Sequence, residues 1–423
     1  MNRRSIRLTA GMLSIALVLA AAFLIWRHSQ MLVKTGNQAF IFEPHPRTLQ
    51  ITGKRPVVAA TVTGGLYLLS VENSGATEAL TLRMSHDGGE HWMSPTALSS
   101  PKATVITSAE NAPQLAARGM YAFALWQEKS DATGSQLRLA RSSGMDGKAP
   151  VSTVITDKPA NDMSYSGFAS LAVAPNGDLY TAWLDGRDTT SAASGTFNVY
   201  LARSTDRGLT FHRNVKVATL ACPCCRPSVA ISGDGTVYVA YRHVYGDNER
   251  DVAVATSTDG GKHFSEPVRV ATDRWKIFGC PESGPVVAAQ GGRLIVAWYT
   301  ATGEEPGIRL AASRDGGRSF SHGIAVSKGI QSANHPYLAS RDDGTIAIAF
   351  SGRLPSQTGA WEAVTPFVFR VDAGGHVSAV SRVPADEADE RYPTLSLAPD
   401  GDVYVAWSGI DTAKTSLVRA VSR

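Results

Sequence analysis

A short frame recurs along the chain: a proline, any residue, an aliphatic residue, an apolar run of strand length, a glycine-containing turn, and a run rich in Tyr, Ala and Trp. It is plainest at Pro227-Ser-Val229, Asp234-Gly-Thr236 and Tyr238-Val-Ala-Tyr241. The frame opens at Pro56, Pro113, Ala169 (which stands in for the proline), Pro227, Pro285, Pro336 and Pro393, in steps of 57, 56, 58, 58, 51 and 57 residues. Seven frames of about 56 residues account for roughly 392 of the 423 residues. A unit this short cannot bury an apolar face alone and must stack on its neighbours.

Within each unit the apolar runs are short, rich in Val, Tyr and Trp, and broken by turn residues such as Pro175-Asn-Gly-Asp178, Asp343-Gly344 and Pro399-Asp-Gly-Asp402. That pattern predicts antiparallel strands joined by tight turns. Four strands fit one unit, and radial repetition of four-stranded sheets leaves an all-β chain only short, protected edges. The expected fold is therefore all-β: a β-propeller of four-stranded antiparallel blades, seven in number, or six if the first or last frame is packing ornament. The last unit offers three strand candidates, around 394–397, 403–407 and 416–421. A strand near 39–51 is expected to supply its fourth and to close the ring of a single domain spanning 31–423.

Composition excludes other classes. With 43% hydrophobic and 18% charged residues, 39 Gly and 21 Pro, the chain is neither disordered nor collagen-like. The net charge of +4 equals the four arginines Arg3, Arg4, Arg7 and Arg27, so the remainder is neutral and nothing points to nucleic acid. Those arginines flank an apolar run over 8–26, long enough to cross a bilayer as one transmembrane helix. Arginine on its N-terminal side predicts that residues 1–30 anchor the chain in a membrane with the remainder outside the cytoplasm, periplasmic or extracellular. A cleaved signal peptide is the alternative, because Ala20-Ala21-Ala22 offers small residues for cleavage.

A second motif, Ser-x-Asp-x-Gly-x-x-aromatic, stands in phase with the frame. It comprises Ser85, Asp87, Gly89 and Trp92; Ser204, Asp206, Gly208 and Phe211; Ser257, Asp259, Gly261 and Phe264; and Ser313, Asp315, Gly317 and Phe320. Asp and Ser oxygens accept backbone N–H bonds inside a turn, Gly permits positive φ, and the aromatic plugs the core beneath. Degenerate copies stand at Ser143-Gly-Met-Asp-Gly147 and Asp372-Ala-Gly374.

These boxes resemble the Asp-boxes, or BNR repeats, of the sialidase superfamily, over nearly everything after Gln30. The resemblance implies an exported propeller. For a true sialidase it further implies three arginines on the sugar carboxylate, a Tyr paired with Glu as nucleophile, and an Asp as acid/base. The family's first arginine stands in an Arg-Ile-Pro motif. Here Lys54-Arg55-Pro56 lacks the middle residue, and Arg391-Tyr-Pro393 has the spacing but opens the last unit.

In an up-and-down blade the boxes share one face with the first-to-second turns, and the opposite face holds the second-to-third loops and the lead-ins to each blade. Asp185, Arg187, Arg226, Arg242, His243, His335 and Arg353 fall on that opposite face and are the candidate ligand-binding residues. Guanidinium groups can take an anionic ligand bidentately, or each can pair with a nearby acid such as Asp185 or Asp251. Trp183, Tyr241, Trp298 and Trp407 recur at one strand phase and are expected to pack the core.

All four cysteines, Cys222, Cys224, Cys225 and Cys280, belong to adjacent lead-ins and form one local site. Disulfide stapling in an oxidising compartment, a copper or zinc thiolate site, and a redox role are the three readings. Three functions follow: a non-catalytic propeller that binds a glycan, an anionic small ligand or a protein partner; an exo-sialidase or related glycoside hydrolase; and a copper- or zinc-binding protein.

Overall fold

The computed structural model describes residues 40–421 apart from 43–46, 75–76, 144–148, 190–194, 291, 304–305, 356–361, 386–389 and 410–413, with backbone alone at 47–52, 74, 77 and 390–391. The expected anchor over 1–30 and the degenerate box Ser143-Gly-Met-Asp-Gly147 lie wholly or mostly outside the described residues. Among the described residues no helix is long and apolar enough to cross a membrane.

The described chain is all-β, with antiparallel sheets arranged as a β-propeller and one 3-10 turn at Gly246–Asn248. Each frame opens an inner strand: Arg47–Ala60, Gln114–Arg118, Ser166–Val173, Ser228–Ile231, Val286–Gln290, Gln331–Ser340 and Glu390–Leu397. Each pairs with a second strand, and that second strand pairs with a third. Outer strands such as Thr96–Ala97, Val151–Val154 and Val215–Ala221 complete the units. In the last unit the outer partners of Lys414–Val421 come from the start of the chain, through Ile41↔Val421, Phe42↔Ala420 and Arg47↔Leu417. The strand Arg47–Ala60 then continues into the first unit, where Val57 pairs with Leu69. One strand thus ties the last unit to the first.

The inner strands line a central cavity of about 600 Å³. Its wall shows a regularity in the sequence: three residues beyond the frame start stand Ala59, Ala116, Ala172, Ala230, Ala288, Ala339 and Ser396. Small side chains let neighbouring backbones converge on an axis. Polar links reinforce the closing seam, where Ala60 N–H donates to Ser396 Oγ at 2.8 Å and Thr394 Oγ1 donates to the Pro56 carbonyl at 2.9 Å. At the box-side mouth Arg118 and Asp342 meet at 3.3 Å, joining the second and sixth units.

Between units, the second strands bury Trp126, Trp183, Tyr241, Trp298, Phe350 and Trp407 almost completely. An indole N–H in such a core needs a partner. Trp183 Nε1 donates to Asp185 Oδ2 at 2.7 Å and Trp298 Nε1 to Asp273 Oδ2 at 2.7 Å.

The four boxes share one geometry. The box serine donates to the aspartate at 2.7–2.8 Å and accepts the box glycine N–H at 2.8–2.9 Å. The aspartate also accepts the backbone N–H of His91, Thr210, His263 or Ser319. Asp372 keeps this turn by accepting His376 N–H at 2.9 Å, without the serine. Although burial works in the other direction, hydrogen bonds from Thr210, Ser204 and Leu209 hold the Asp206 carboxyl down at about 2.

Gly208 shows why the box needs glycine. Its φ is +80°, and a Cβ there would lie 2.7 Å from Leu139 Cδ2 and 2.8 Å from Leu179 Cδ1, in the seam between two units. Gly208→Ala is expected to cost about 2–4 kcal/mol, from left-handed strain plus overpacking. Urea unfolding of the variant measures it, and a loss under about 0.5 kcal/mol, the range of an inert surface change, would contradict this packing.

Candidate functional site

The loop face is built on strained lead-ins. Arg55 (φ 54°), Phe168 (φ 53°), His335 (φ 55°) and Tyr392 (φ 58°) adopt left-handed backbone immediately before Pro56, Ala169, Pro336 and Pro393. The strand register shifts at each of the four places. A residue before proline favours extended backbone, and a non-glycine residue at positive φ costs about 1–3 kcal/mol. Bulges of this kind re-aim side chains at a sheet's end.

Two of these residues meet across units: the His335 and Tyr392 rings lie against each other at a tilt of 37° with centroids 4.0 Å apart, while Tyr392 N–H donates to Ser351 Oγ at 3.0 Å. Beside them Tyr299, Ser332, Asn334, His335, Ser351, Arg353 and Val364 line a cavity of about 270 Å³. His335 and Arg353, two of the candidates, therefore share one concave polar surface.

At the mouth of the central cavity stand Glu110, Arg226 and Gly284, brought together from three units. Gly284 N–H donates to Glu110 Oε1 at 2.7 Å, and Arg226 Nη2 donates to the Glu110 carbonyl. Gly284 must be glycine, because a Cβ would meet the Arg226 carbonyl oxygen at 2.1 Å. Burial pushes the Glu110 carboxyl up to about 7, against the pull of Arg226 and the two backbone donors and with the help of Glu282. Burial likewise raises the Tyr337 phenol in the same wall.

Arg187 and Arg242 are engaged by the protein. Arg187 donates to Asp157 Oδ1 at 2.6 Å, Asp185 Oδ2 at 3.0 Å and Asn214 Oδ1 at 2.9 Å, and lies 4.4 Å over the Tyr200 ring. Asp185 is fully buried and also accepts from Ser166 and Trp183. Arg242, only 1% exposed, donates to the carbonyls of Arg250, Ser283 and Tyr299 and lies 5.0 Å from the Trp275 ring. His243 sits 3.2 Å from the Tyr241 hydroxyl and 4.3 Å between ring centroids from Tyr245; burial first, and then Arg269, lower its pKa. These residues frame the face rather than opening onto it.

The cysteines divide. Cys224 and Cys280 form a disulfide, whereas Cys222 and Cys225 are buried free thiols. Cys222 Sγ is 3.8 Å from Cys224 Sγ, and Arg250 Nη1 donates to it at 3.2 Å. A hydrogen bond from Cys225 lowers the Cys222 pKa despite burial, while burial raises that of Cys225.

Glu110 and Arg250 are the residues that reading the sequence missed. Glu110 stands three residues before Pro113, as Cys224 stands three before Pro227, so superposing all lead-ins would have drawn attention to it. Its partners come from 116 and 174 residues away, which no local motif encodes.

Residues 177–365 match the BNR repeat-like domain family. No curated protein sequence matches the chain. Among solved structures it is similar to a Hadza microbial sialidase, at 14% identity and a TM-score of 0.50 over 82% of this chain and 74% of that one. It is also similar to an ulvan lyase of a new polysaccharide lyase family bound to -[GlcA(1-4)Rha3S]-, at 12% identity and a TM-score of 0.51 over 88% of this chain and 95% of that one. An α-L-arabinanase from Penicillium chrysogenum complexed with arabinobiose matches at 13% identity and a TM-score of 0.46, over 91% and 98% of the two chains.

Glu110 gives a signed pH dependence. Its folded pKa of about 7 lies above the ordinary 4.5, so its favourable contribution is complete below pH 4.5 and is lost as pH rises through 7. Urea unfolding at a series of pH values should show stability falling across that window, and Glu110→Gln should flatten this part of the profile. An unchanged profile in the variant would show that the carboxyl is not held in a desolvated place.

Proposed function

Because residues 177–365 match the BNR repeat-like domain family, we propose that the chain is a member of the sialidase and BNR-repeat superfamily, an exported propeller of seven blades that binds an acidic carbohydrate at its loop face without classical sialidase turnover. The seven inner strands around one cavity support the blade count. The arginine-flanked apolar run over 8–26 supports export, as does the Cys224–Cys280 bond, since disulfides persist in oxidising compartments.

The observation that carries the binding reading is the polar cavity holding Arg353, Asn334, His335 and Ser332 beside two strained lead-ins. An arginine supplies a bidentate anchor for a carboxylate, and the amide and hydroxyls supply partners for sugar hydroxyls. The absence of turnover rests on Arg187 and Arg242: both are held by the protein's own carboxylates and carbonyls, so neither is available for a three-arginine clamp.

A second reading is glycoside hydrolysis, favoured by one observation. Glu110, pushed up to about 7, has a proton to give near neutral pH, with Glu282 close enough to act on it electrostatically. Glycosidases commonly separate the pKa values of two carboxyl groups in this way.

Calorimetry with N-acetylneuraminic acid and with a glucuronate oligosaccharide tests the binding reading. At least one should bind, and Arg353→Ala should weaken it about tenfold or more, equivalent to about 1.4 kcal/mol. Unchanged affinity in that variant would remove the cavity from the account. A fluorogenic sialoside should not be cleaved; cleavage abolished by Glu110→Gln would establish the hydrolase instead.

A further inference from the structure

The sulfur atoms of Cys222, Cys224 and Cys225 all lie within 4.8 Å of one another, and the three side chains are 0%, 7% and 1% exposed beneath Phe168 and Val244. A buried free thiol is ordinarily a small inert hydrophobe. Here three sulfurs converge on one point and two arginines attend them. Arg250 Nη1 is 3.2 Å from Cys222 Sγ, and the buried Arg242, though its guanidinium donates to the carbonyls of Arg250, Ser283 and Tyr299, is close enough to act electrostatically on both Cys222 and Cys225. Cationic groups beside buried sulfur suit anionic sulfur, which a neutral thiol cluster does not require.

We propose that Cys222, Cys224 and Cys225 form a binding site for monovalent copper. The nearby donors are sulfur alone, in an apolar pocket, which selects a soft ion over calcium or magnesium. Three thiolates and one monovalent ion sum to minus two, and the two guanidinium groups supply the opposite charge. A structural zinc site needs four ligands. The fourth cysteine, Cys280, is bonded to Cys224 but is itself exposed, and its sulfur falls outside the set of three that lie within 4.8 Å of one another.

Loading requires the Cys224–Cys280 bond to open. A dithiol reductant gives two electrons and two protons to that bond and becomes a disulfide itself, leaving Cys224 and Cys280 as thiols. Copper then binds the three buried sulfurs as their three protons leave to solvent. Cys280, being exposed, is the sulfur that the reductant can attack. The disulfide is thus the closed state of the site and the dithiol its open state.

The full chain, reduced, freed of reductant and kept anaerobic, is titrated with copper(I) against a chromogenic chelator. One copper per chain is expected. Cys280→Ser should bind the same amount with no prior reduction, because its Cys224 cannot be blocked by the native bond. Cys222→Ser and Cys225→Ser should each lose more than the roughly 10–100-fold that removal of an outer partner of a metal ligand causes. The wild-type chain supplies a measurement independent of variant folding: copper(I) should protect Cys222, Cys224 and Cys225 from alkylation and leave Cys280 to react, as read by mass spectrometry. The proposal is overturned if reduced wild type and Cys280→Ser take up no more copper(I) than the Cys222→Ser/Cys225→Ser double variant. It is equally overturned if zinc(II) binds in preference and protects all four cysteines.

Discussion

The inner strands can approach one axis only where their side chains are small. The alanine that stands three residues beyond the frame start in six units, and the serine in the seventh, meet that condition. With the inner strands so placed, the second strands fall back to back with neighbouring units, and the large aromatics at Trp126, Trp183, Tyr241, Trp298, Phe350 and Trp407 fill the space between them. Such residues each bury roughly 150–250 Å², which makes the seams between units the main apolar store of the molecule. The boxes seal these seams from below, since a Cβ added to their glycines would meet the neighbouring unit, at Leu417 for Gly89, Leu139 for Gly208, Leu201 for Gly261 and Thr256 for Gly317.

The two faces then take on different characters. On the box face, backbone amides converge on fixed aspartates in turns that repeat with little change. On the loop face, four lead-ins carry left-handed residues and shifted register, and groups from different units meet there. Strain gathered on one face of an otherwise regular ring is the pattern expected where recognition, rather than stability, sets the backbone. The cysteine cluster lies on this same side, next to Arg226 at the cavity mouth.

Much of the architecture was legible because its causes are local. The proline frame, the turn residues and the boxes are each written within a few consecutive positions, and Ser204, Asp206 and Gly208 make the contacts that their spacing implies. The aromatic phase was legible for the same reason. The site was less so. Arg187 and Arg242 look alike in sequence to any ligand-binding arginine, and only the fold brings Asp157 and Asn214 to one and the Ser283 and Tyr299 carbonyls to the other. Glu110 is an ordinary glutamate until Gly284 and Arg226 close over it. Proximity of the four cysteines followed from their places in adjacent units, but which sulfurs bond was a matter of atomic geometry.

A crystal structure of the protein soaked with an acidic sugar addresses the central claim most directly, because it locates the ligand without relying on any variant. The carboxylate is expected in the loop-face cavity against Arg353, with the sugar beside Asn334 and His335. A sugar bound on the box face, or held in the central cavity with its anomeric carbon at Glu110, would contradict the reading of this propeller as a binding protein.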